Sequence, residues 1–262
     1  MSIKNLPIGI FDSGLGGVSV LAEAYSKLNR ESFIYYGDSA NAPYGTKKTA
    51  EVKKLSLKAA NFLLNKGIKA LVVACNTATS AAVNDLREWL DIPVIGMEPA
   101  LKPAVEMEKK GQIVVMATPV TLREKKFQLL LEKYQNRGNI IPLSCPGLVE
   151  LIEKGYYYGK PVQDYLTSLF SPLDTADISV IVLGCTHYSY IKPEVEKFKP
   201  GVSVIDGNSG TVNHLIKVLR EKDLFADGLV KEPRIKCYTS ADPDSFLPLG
   251  HHLFNFCLTI RG

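Results

Sequence analysis

The chain has 262 residues, 46% hydrophobic and 22% charged, and its 31 basic and 27 acidic side chains give a net charge of +4. The apolar fraction excludes extensive disorder, and the length suits one large α/β unit or two lobes of about 100–150 residues. A charge so small and dispersed argues against a nucleic-acid partner, which needs Lys and Arg clustered on one face.

Short apolar runs alternate with helical patterns along the chain. The runs predict strands at Pro7–Phe11, Phe33–Gly37, Ala70–Ala74, Val94–Gly96, Gln112–Ala117, Ile140–Ser144, Ile178–Gly184 and Ser203–Asp206. The helical patterns cover Val18–Leu28, Lys48–Lys66, Thr77–Leu90, Leu101–Lys110, Leu122–Tyr134, Val162–Phe170, Pro193–Phe198 and Thr211–Lys222. Continuous apolar runs with crossover helices predict one or two open sheets of parallel strands. The tail from Lys231, with Pro233, Pro243 and Pro248, is less regular, and we expect it to pack against the body.

The cysteines and the N-terminal residues indicate a compartment. Five cysteines, odd in number and without a C-x-x-C pair, make a poor disulfide framework or structural zinc set. The first seven residues lack a signal-peptide apolar region, and no apolar stretch approaches the ~20 residues that span a bilayer. We therefore expect a cytoplasmic protein, without membrane association, whose thiols are reduced and available for chemistry.

Two cysteines lie where a predicted strand ends. Cys75 and Cys185 each follow an apolar strand and precede residues that can open a helix, and ligands of open α/β sheets bind at such strand ends. The helix start can lower the pKa of a thiol, and His187 is a candidate base partner for Cys185. The other three cysteines are expected to fill core space: Cys145, Cys237 and Cys257.

Polar loops follow other strands. Asp12 leads a glycine-rich loop that lacks the G-x-G-x-x-G spacing and a P-loop lysine, and its carboxylate suits an ammonium group better than a phosphate. The loops at 38–45 and 118–121 supply N–H and hydroxyl groups that bind carboxylates, although ordinary N-capping explains them equally well. Such an inventory suits a small zwitterion. Two thiols on opposite faces of its Cα could remove and deliver a proton without a cofactor.

Four motifs together resemble those of the glutamate racemases, within the cofactor-independent aspartate/glutamate racemase superfamily. They are Ile10–Gly17, Pro43–Gly45, Ala74–Ala78 and Leu183–Tyr188, in the family's order within residues 8–211. The resemblance implies interconversion of L- and D-glutamate, the latter for bacterial peptidoglycan and hence for cell wall biogenesis and cell shape. It also implies a homodimer, no cofactor and no metal.

The resemblance further implies an architecture of two pseudo-symmetric open α/β lobes, with mainly parallel sheets and the active site in the crevice between them. We place the first lobe at residues 1–97 and 209–262 and the second at 98–208. Because the chain begins directly at its first strand, it is expected to lack the N-terminal extension of family members that a peptidoglycan precursor activates.

Roles carried over from the family fall on particular residues. Cys75 and Cys185 would be the two acid/base residues, with Asp12 assisting Cys75, His187 assisting Cys185, and Glu153 as a further catalytic carboxylate. Asp12 and His187 would also contact the substrate. The other expected substrate contacts are Ser13, Pro43, Tyr44, Gly45, Asn76, Thr77, Thr118, Thr121 and Thr186. The histidine of the Cys-Thr-His motif resembles glutamate racemases more than aspartate racemases.

Two alternatives remain open at this stage. Cys75, Cys185 and His187 form a Cys₂His set, which can bind a catalytic zinc ion with one open position. A crevice between α/β lobes also suits a non-catalytic amino-acid-binding module, in which the two thiols would be dispensable. Activity in the presence of a strong chelator excludes the first, and loss of function on replacing both cysteines excludes the second.

Overall fold

Two parallel sheets organise the computed structural model, which describes residues 2–97, 100–173, 177–228 and 234–260, apart from the side chain of Lys126. The first sheet has the order β4-β3-β1-β2-β9 and the second β6-β5-β7-β8, and every strand pair is parallel. The strands are β1 (Ile8–Asp12), β2 (Phe33–Gly37), β3 (Ala70–Val73), β4 (Val94–Gly96), β5 (Gln112–Ala117), β6 (Asn139–Ser144), β7 (Ile178–Leu183), β8 (Ser203–Asp206) and β9 (Ile235–Thr239). The predicted α/β class is confirmed.

Helices connect these strands and cover the sheets. In the described segments they are α1 (Val18–Lys27), α2 (Thr49–Asn65), α3 (Asn76–Trp89), α4 (Leu101–Glu106), α5 (Pro119–Arg123), α6 (Lys125–Tyr134), α7 (Leu148–Glu153), α8 (Lys160–Phe170), α9 (Lys192–Phe198), α10 (Asn208–Glu221) and α11 (Pro243–Thr259). A 3-10 helix, Thr186–Ile191, lies between β7 and α9. No helix within the described ranges is both long enough and apolar enough to cross a membrane.

The apolar runs that predicted the strands are buried because helices cover both faces of each sheet. Every residue of β1 and β3 is buried, and so are the last five of β5. By contrast β6, which carries Pro142, is largely accessible and lies at the edge of its sheet, where a residue without an N–H is tolerated.

The tail packs against the body as expected, but its irregularity is not confirmed, because it contains a strand and a helix. Residues 235–239 form β9, which pairs in parallel with β2, and α11 packs against α1. Pro243 occupies the first turn of α11, where a missing N–H costs nothing, and the carboxylate of Asp242 caps that turn. Lys231 and Pro233 lie outside the described residues.

Three helical expectations also need correction. The predicted helix Leu122–Tyr134 is two helices, α5 and α6, separated at Glu124, whose backbone is extended. The helix predicted over Leu101–Lys110 ends at Glu106. The short helix α7 was not predicted at all, and it carries Glu153.

Each sheet takes its strands from one of the two residue ranges that we predicted as lobes. β1 to β4 and β9 lie within residues 1–97 and 209–262, and β5 to β8 lie within 98–208. The chain passes from one sheet to the other after β4 and again after β8. The exact division into lobes stays a prediction, and the first boundary adjoins residues 98–99, outside the described part.

Candidate active site

The carboxyl ends of three strands meet across the two sheets. β1 ends at Asp12 and is followed by the glycine loop, β3 leads into Cys75, and β7 leads into Cys185. The hydroxyl of Thr186 donates to Oδ2 of Asp12 at 3.1 Å, so a residue of the second sheet binds a residue of the first. These residues are all buried, which gives their charges and hydrogen bonds more weight than they would have in water.

Cys75 forms the N-cap of α3. Its Sγ accepts from the N–H of Ala78 at 3.4 Å and lies 3.5 Å from Oγ of Ser13. Burial and, after it, the charge of Asp12 raise the pKa of the Cys75 thiol to about 12, and the bonds from Ser13 and Ala78 only partly oppose them. The bond from Ala78 at the helix start does lower this pKa, as expected, but desolvation outweighs it and the net shift is upward.

Cys185 has a different set of partners. Nδ1 of His187 lies 3.9 Å from Sγ of Cys185, and Nε2 of the same ring is 2.9 Å from Oε1 of Glu153. Burial lowers the pKa of His187, but hydrogen bonds to Cys185 and Glu153 outweigh it and hold that pKa well above its ordinary value. The pKa of Glu153 is lowered, because its bond to His187 outweighs burial. Both shifts favour a charged pair, an imidazolium on the buried His187 and a carboxylate on the partly accessible Glu153.

Asp12 is fully buried, and burial raises its pKa against the opposing effects of His187 and of bonds from Gly14 and Thr186. The N–H of Gly14 donates to Oδ1 at 2.8 Å. The expected partnership with Cys75 is electrostatic in this structure: the direct hydrogen bonds of Cys75 come from Ser13 and Ala78, while Asp12 acts on it through charge.

Two glycines bring the first-sheet loop against the second-sheet pair. A Cβ added to Gly14 would overlap Oε1 of Glu153, and one added to Gly16 would lie 2.8 Å from Cε1 of His187. Neither glycine has a positive φ, so close approach is the reason for glycine here.

A cluster of three threonine hydroxyls lies at the start of α3, where Thr77 follows Cys75 by two residues. Oγ1 of Thr77 is 3.3 Å from that of Thr118 and 3.2 Å from that of Thr121, and the latter two are 2.9 Å apart. The amide of Asn76, which is 3% exposed, has neither its nitrogen nor its oxygen paired among the described residues. Buried polar groups are nearly always paired, so this amide is available to a ligand.

The remaining expected contacts lie around this group. Gly45 packs against Thr118, where an added Cβ would come within 2.9 Å of the threonine Cβ. Tyr44 is buried and donates its hydroxyl to Asp38 at 2.6 Å, and Pro43 is half-buried. Asp38 was not among the predicted site residues. Its loop was singled out, but the bond to Tyr44 has no signature in the sequence.

The structure therefore places the predicted residues in one neighbourhood, while their roles stay predictions. Asp12, Ser13, Cys75 and the Cys185-to-His187 segment form a continuous set of contacts. As for the zinc alternative, no group of three or more His, Cys, Asp or Glu side chains that could hold a metal ion occurs in the segments that the structure describes.

Comparison with known proteins gives consistent matches. The family model described as Asp/Glu/Hydantoin racemase matches residues 13–215. A glutamate racemase of Clostridium acetobutylicum is 52% identical over 256 residues, covering 97% of this chain and 100% of the relative. A Francisella tularensis glutamate racemase in complex with D-glutamate has a TM-score of 0.84 at 31% identity, covering 96% of this chain and 94% of that one. An Escherichia coli glutamate racemase in complex with L-glutamate and the activator UDP-MurNAc-ala has a TM-score of 0.84 at 27% identity, covering 94% and 95%.

Two parallel sheets whose strand ends meet at a buried polar site are typical of α/β proteins that bind a small molecule at those strand ends. The match over residues 13–215 is more specific, and the chain belongs to the Asp/Glu/Hydantoin racemase family. The resemblance drawn from the four motifs is confirmed, and so is the class of enzyme, an amino-acid racemase.

Proposed function

We propose that this protein interconverts L- and D-glutamate by moving a proton at Cα between Cys75 and Cys185. The observation that carries the proposal is the meeting of the two cysteine-bearing strand ends, through Ser13 on one side and the Thr186–Asp12 bond on the other. The relatives named as glutamate racemases, and the related structures solved with D-glutamate or L-glutamate, support glutamate as the substrate.

Recognition of the substrate follows from the unlike ends of the site. Glutamate carries one ammonium and two carboxylate groups. The buried carboxylate of Asp12 suits the ammonium. The cluster of three hydroxyls on Thr77, Thr118 and Thr121 suits a carboxylate. The unpaired amide of Asn76 can donate to a carboxylate oxygen, which would satisfy a buried polar group that is otherwise left without a partner.

The chemistry requires one thiolate and one thiol on opposite faces of Cα. The thiolate takes the Cα proton and becomes a thiol, the electron pair remains on Cα as a carbanion, and the other thiol gives its proton to the opposite face. Configuration inverts, no atom is gained or lost, and the two cysteines have exchanged protonation states. The site has to supply proton-transfer geometry and preorganised hydrogen bonds, since no cofactor is proposed to delocalise the carbanion.

The charges around the two sulfurs fit this exchange. Nδ1 of His187 lies 3.9 Å from Sγ of Cys185, and the pKa of His187 is held well above its ordinary value. Around Cys75, burial and the negative charge of Asp12 favour the thiol. An ammonium group beside Asp12 would cancel that negative charge, so substrate binding would itself make Cys75 easier to deprotonate.

The proposal extends to the setting of the reaction. D-Glutamate made by this protein would supply peptidoglycan synthesis in the cytoplasm, and the protein would act as a homodimer without a cofactor. These statements rest on the family resemblance and on the names of the relatives.

Isotope exchange tests the reaction directly. Each enantiomer of glutamate is incubated with reduced protein in D₂O, with a strong chelator and no added cofactor. Deuterium should appear at Cα of the newly formed enantiomer, because its proton comes from a thiol that has equilibrated with solvent. The incubation is repeated without the chelator. Absence of both inversion and exchange under both conditions would overturn the proposal, and activity seen only without the chelator would restore the zinc alternative.

Single-cysteine variants test the mechanism apart from the activity. Cys75→Ala and Cys185→Ala should each lower racemisation at least ~10³-fold, because one face of Cα then lacks the group that takes or gives the proton. Cys237→Ala is the matched control, since this thiol is half-buried in β9, away from the site, and racemisation should stay at the wild-type rate. A single variant at Cys75 or Cys185 with full turnover would refute the two-base account while leaving the racemase activity standing.

A further inference from the structure

Tyr190 connects the segments that carry the proposed catalytic groups. It lies in the 3-10 helix Thr186–Ile191, directly after Cys185, and its side chain is fully buried. Its hydroxyl donates to the carbonyl of Leu15 at 2.6 Å and lies 3.3 Å from that of Gly16. These carbonyls belong to the loop after β1, so the bond joins the second sheet to the first.

The ring of Tyr190 reaches a third segment. Its centroid lies 6.3 Å from that of Tyr157, a buried residue that follows α7 and therefore Glu153. Tyr157 also packs edge-on against Phe256 of α11, with centroids 5.1 Å apart. Tyr157 thus packs against both Tyr190 and α11.

The loop held by Tyr190 is the one that serves Cys75. Ser13 of this loop contacts the sulfur of Cys75, and Gly14 and Gly16 pack against Glu153 and His187. Because Leu15 is only two residues from Ser13, a shift of its carbonyl changes the approach of Ser13 to Cys75. Cys185 follows the end of β7, a strand that pairs with β5 and β8 and not with this loop.

From this geometry we infer that Tyr190 is a positioning residue, whose hydroxyl locks the 13–16 loop onto the second sheet and thereby tunes the proton transfer at Cys75. The inference rests on the proposed racemisation. Loss of the hydroxyl should slow the transfer at Cys75 selectively and leave the transfer at Cys185 nearly unchanged. Cys75 and Cys185 remove the Cα proton from opposite enantiomers, so the isotope effects of the variant should differ between L- and D-glutamate.

The test compares Tyr190→Phe with Tyr188→Phe. Tyr188 is the matched control: it lies in the same 3-10 helix, is equally buried, and donates to a carbonyl within the second lobe, that of Cys145, at 3.3 Å. For each protein, kcat/KM and the primary deuterium isotope effect are measured with L- and D-glutamate labelled at Cα, and thermal unfolding confirms that both variants fold.

Tyr190→Phe should lower kcat/KM about tenfold, a factor typical of one buried hydrogen bond. The loss must be equal in both directions, because the enantiomers have equal free energy. The isotope effect should rise for the enantiomer whose proton goes to Cys75 and fall for the other. Ser13→Ala, which loosens the Cys75 side directly, should shift both isotope effects in the same directions.

The outcomes separate the two claims. Unchanged isotope effects in Tyr190→Phe, shifts equal to those of Tyr188→Phe, or shifts opposite to those of Ser13→Ala would each overturn the positioning role. A wild-type protein that neither inverts nor exchanges glutamate would instead remove the proposed function on which the inference rests.

Discussion

Replacing Gly16 by alanine tests the contact that brings the two halves of the site together. An added Cβ would lie 2.8 Å from Cε1 of His187 and closer still to Nδ1 of His187 and Oγ1 of Thr186. Ordinary contacts begin near 3.4 Å, so the shortfall to Cε1 is 3.4 − 2.8, at least about 0.6 Å. The ring cannot yield easily, since Glu153 and Cys185 bind its two nitrogens.

The expected cost follows from that displacement. Overpacking a well-packed interior destabilises a protein by about 1–3 kcal/mol, and a catalytic group displaced by about 1 Å can lose about 10²-fold in rate. Gly16→Ala should therefore lower the free energy of unfolding by about 1–3 kcal/mol and kcat/KM for glutamate by about 100-fold, because His187 is pushed away from its partners.

The measurements are urea unfolding, followed by circular dichroism, and racemisation of each enantiomer, followed by optical rotation. Gly210→Ala is the control, because an added Cβ there meets no atom within 4 Å and the residue lies in α10. This control should keep wild-type activity and gain about 0.5–1 kcal/mol, as expected for Gly→Ala within a helix. If Gly16→Ala kept the stability and activity of the wild type, the close approach of this loop to His187 would be wrong.

Two further predictions concern charge. Glu153→Gln should lower the pKa of His187. The wild type should exceed this variant in free energy of unfolding most between the ordinary pKa values, 4.5 for Glu and 6.5 for His, and the difference should fall as pH rises through the raised pKa of His187. Urea unfolding across pH measures this difference. Lys69→Met should cost about 3–5 kcal/mol in the same assay, because Glu31, 2.5 Å from Nζ and 2% exposed, would stay buried without its partner; equal stability of this variant and the wild type would contradict that reasoning.

The interior of the fold is readable from sequence because buried parallel strands leave a local signal. The runs at β1, β3 and β5 are apolar except at a terminal residue of β1 and of β5, and each strand is found within one residue of its predicted bounds. β9 lacks that signal: it lies at a sheet edge, and its five residues are only partly buried or exposed. The prolines at 243 and 248 likewise obscure α11, although the first merely begins the helix.

The candidate site likewise contains residues that the local sequence indicates and contacts that depend on the whole fold. Asp12, Cys75 and Cys185 were identified because each follows a strand, which is a local property. The bond from Tyr190 to Leu15 joins residues 175 positions apart, and no pattern in either segment records it. The pKa of Cys75 shows the limit most sharply. A helix start is visible in the sequence and predicts a lowered pKa, whereas the depth of burial, which reverses the sign, depends on the whole fold.

The two cysteines end similar strands, yet their surroundings are electrically opposite. Cys185 lies beside the imidazolium of His187, whereas Cys75 lies beside a hydroxyl and within the field of Asp12. In the proposed reaction the free protein must exist in two forms, with the proton on one sulfur or on the other, and the raised pKa of Cys75 favours the form protonated on Cys75. Equal energies of the enantiomers fix only the ratio kcat/KM to be the same in both directions. Unequal populations of the two forms can therefore make kcat and KM differ between L- and D-glutamate by a common factor, so the asymmetric site does not conflict with a symmetric reaction.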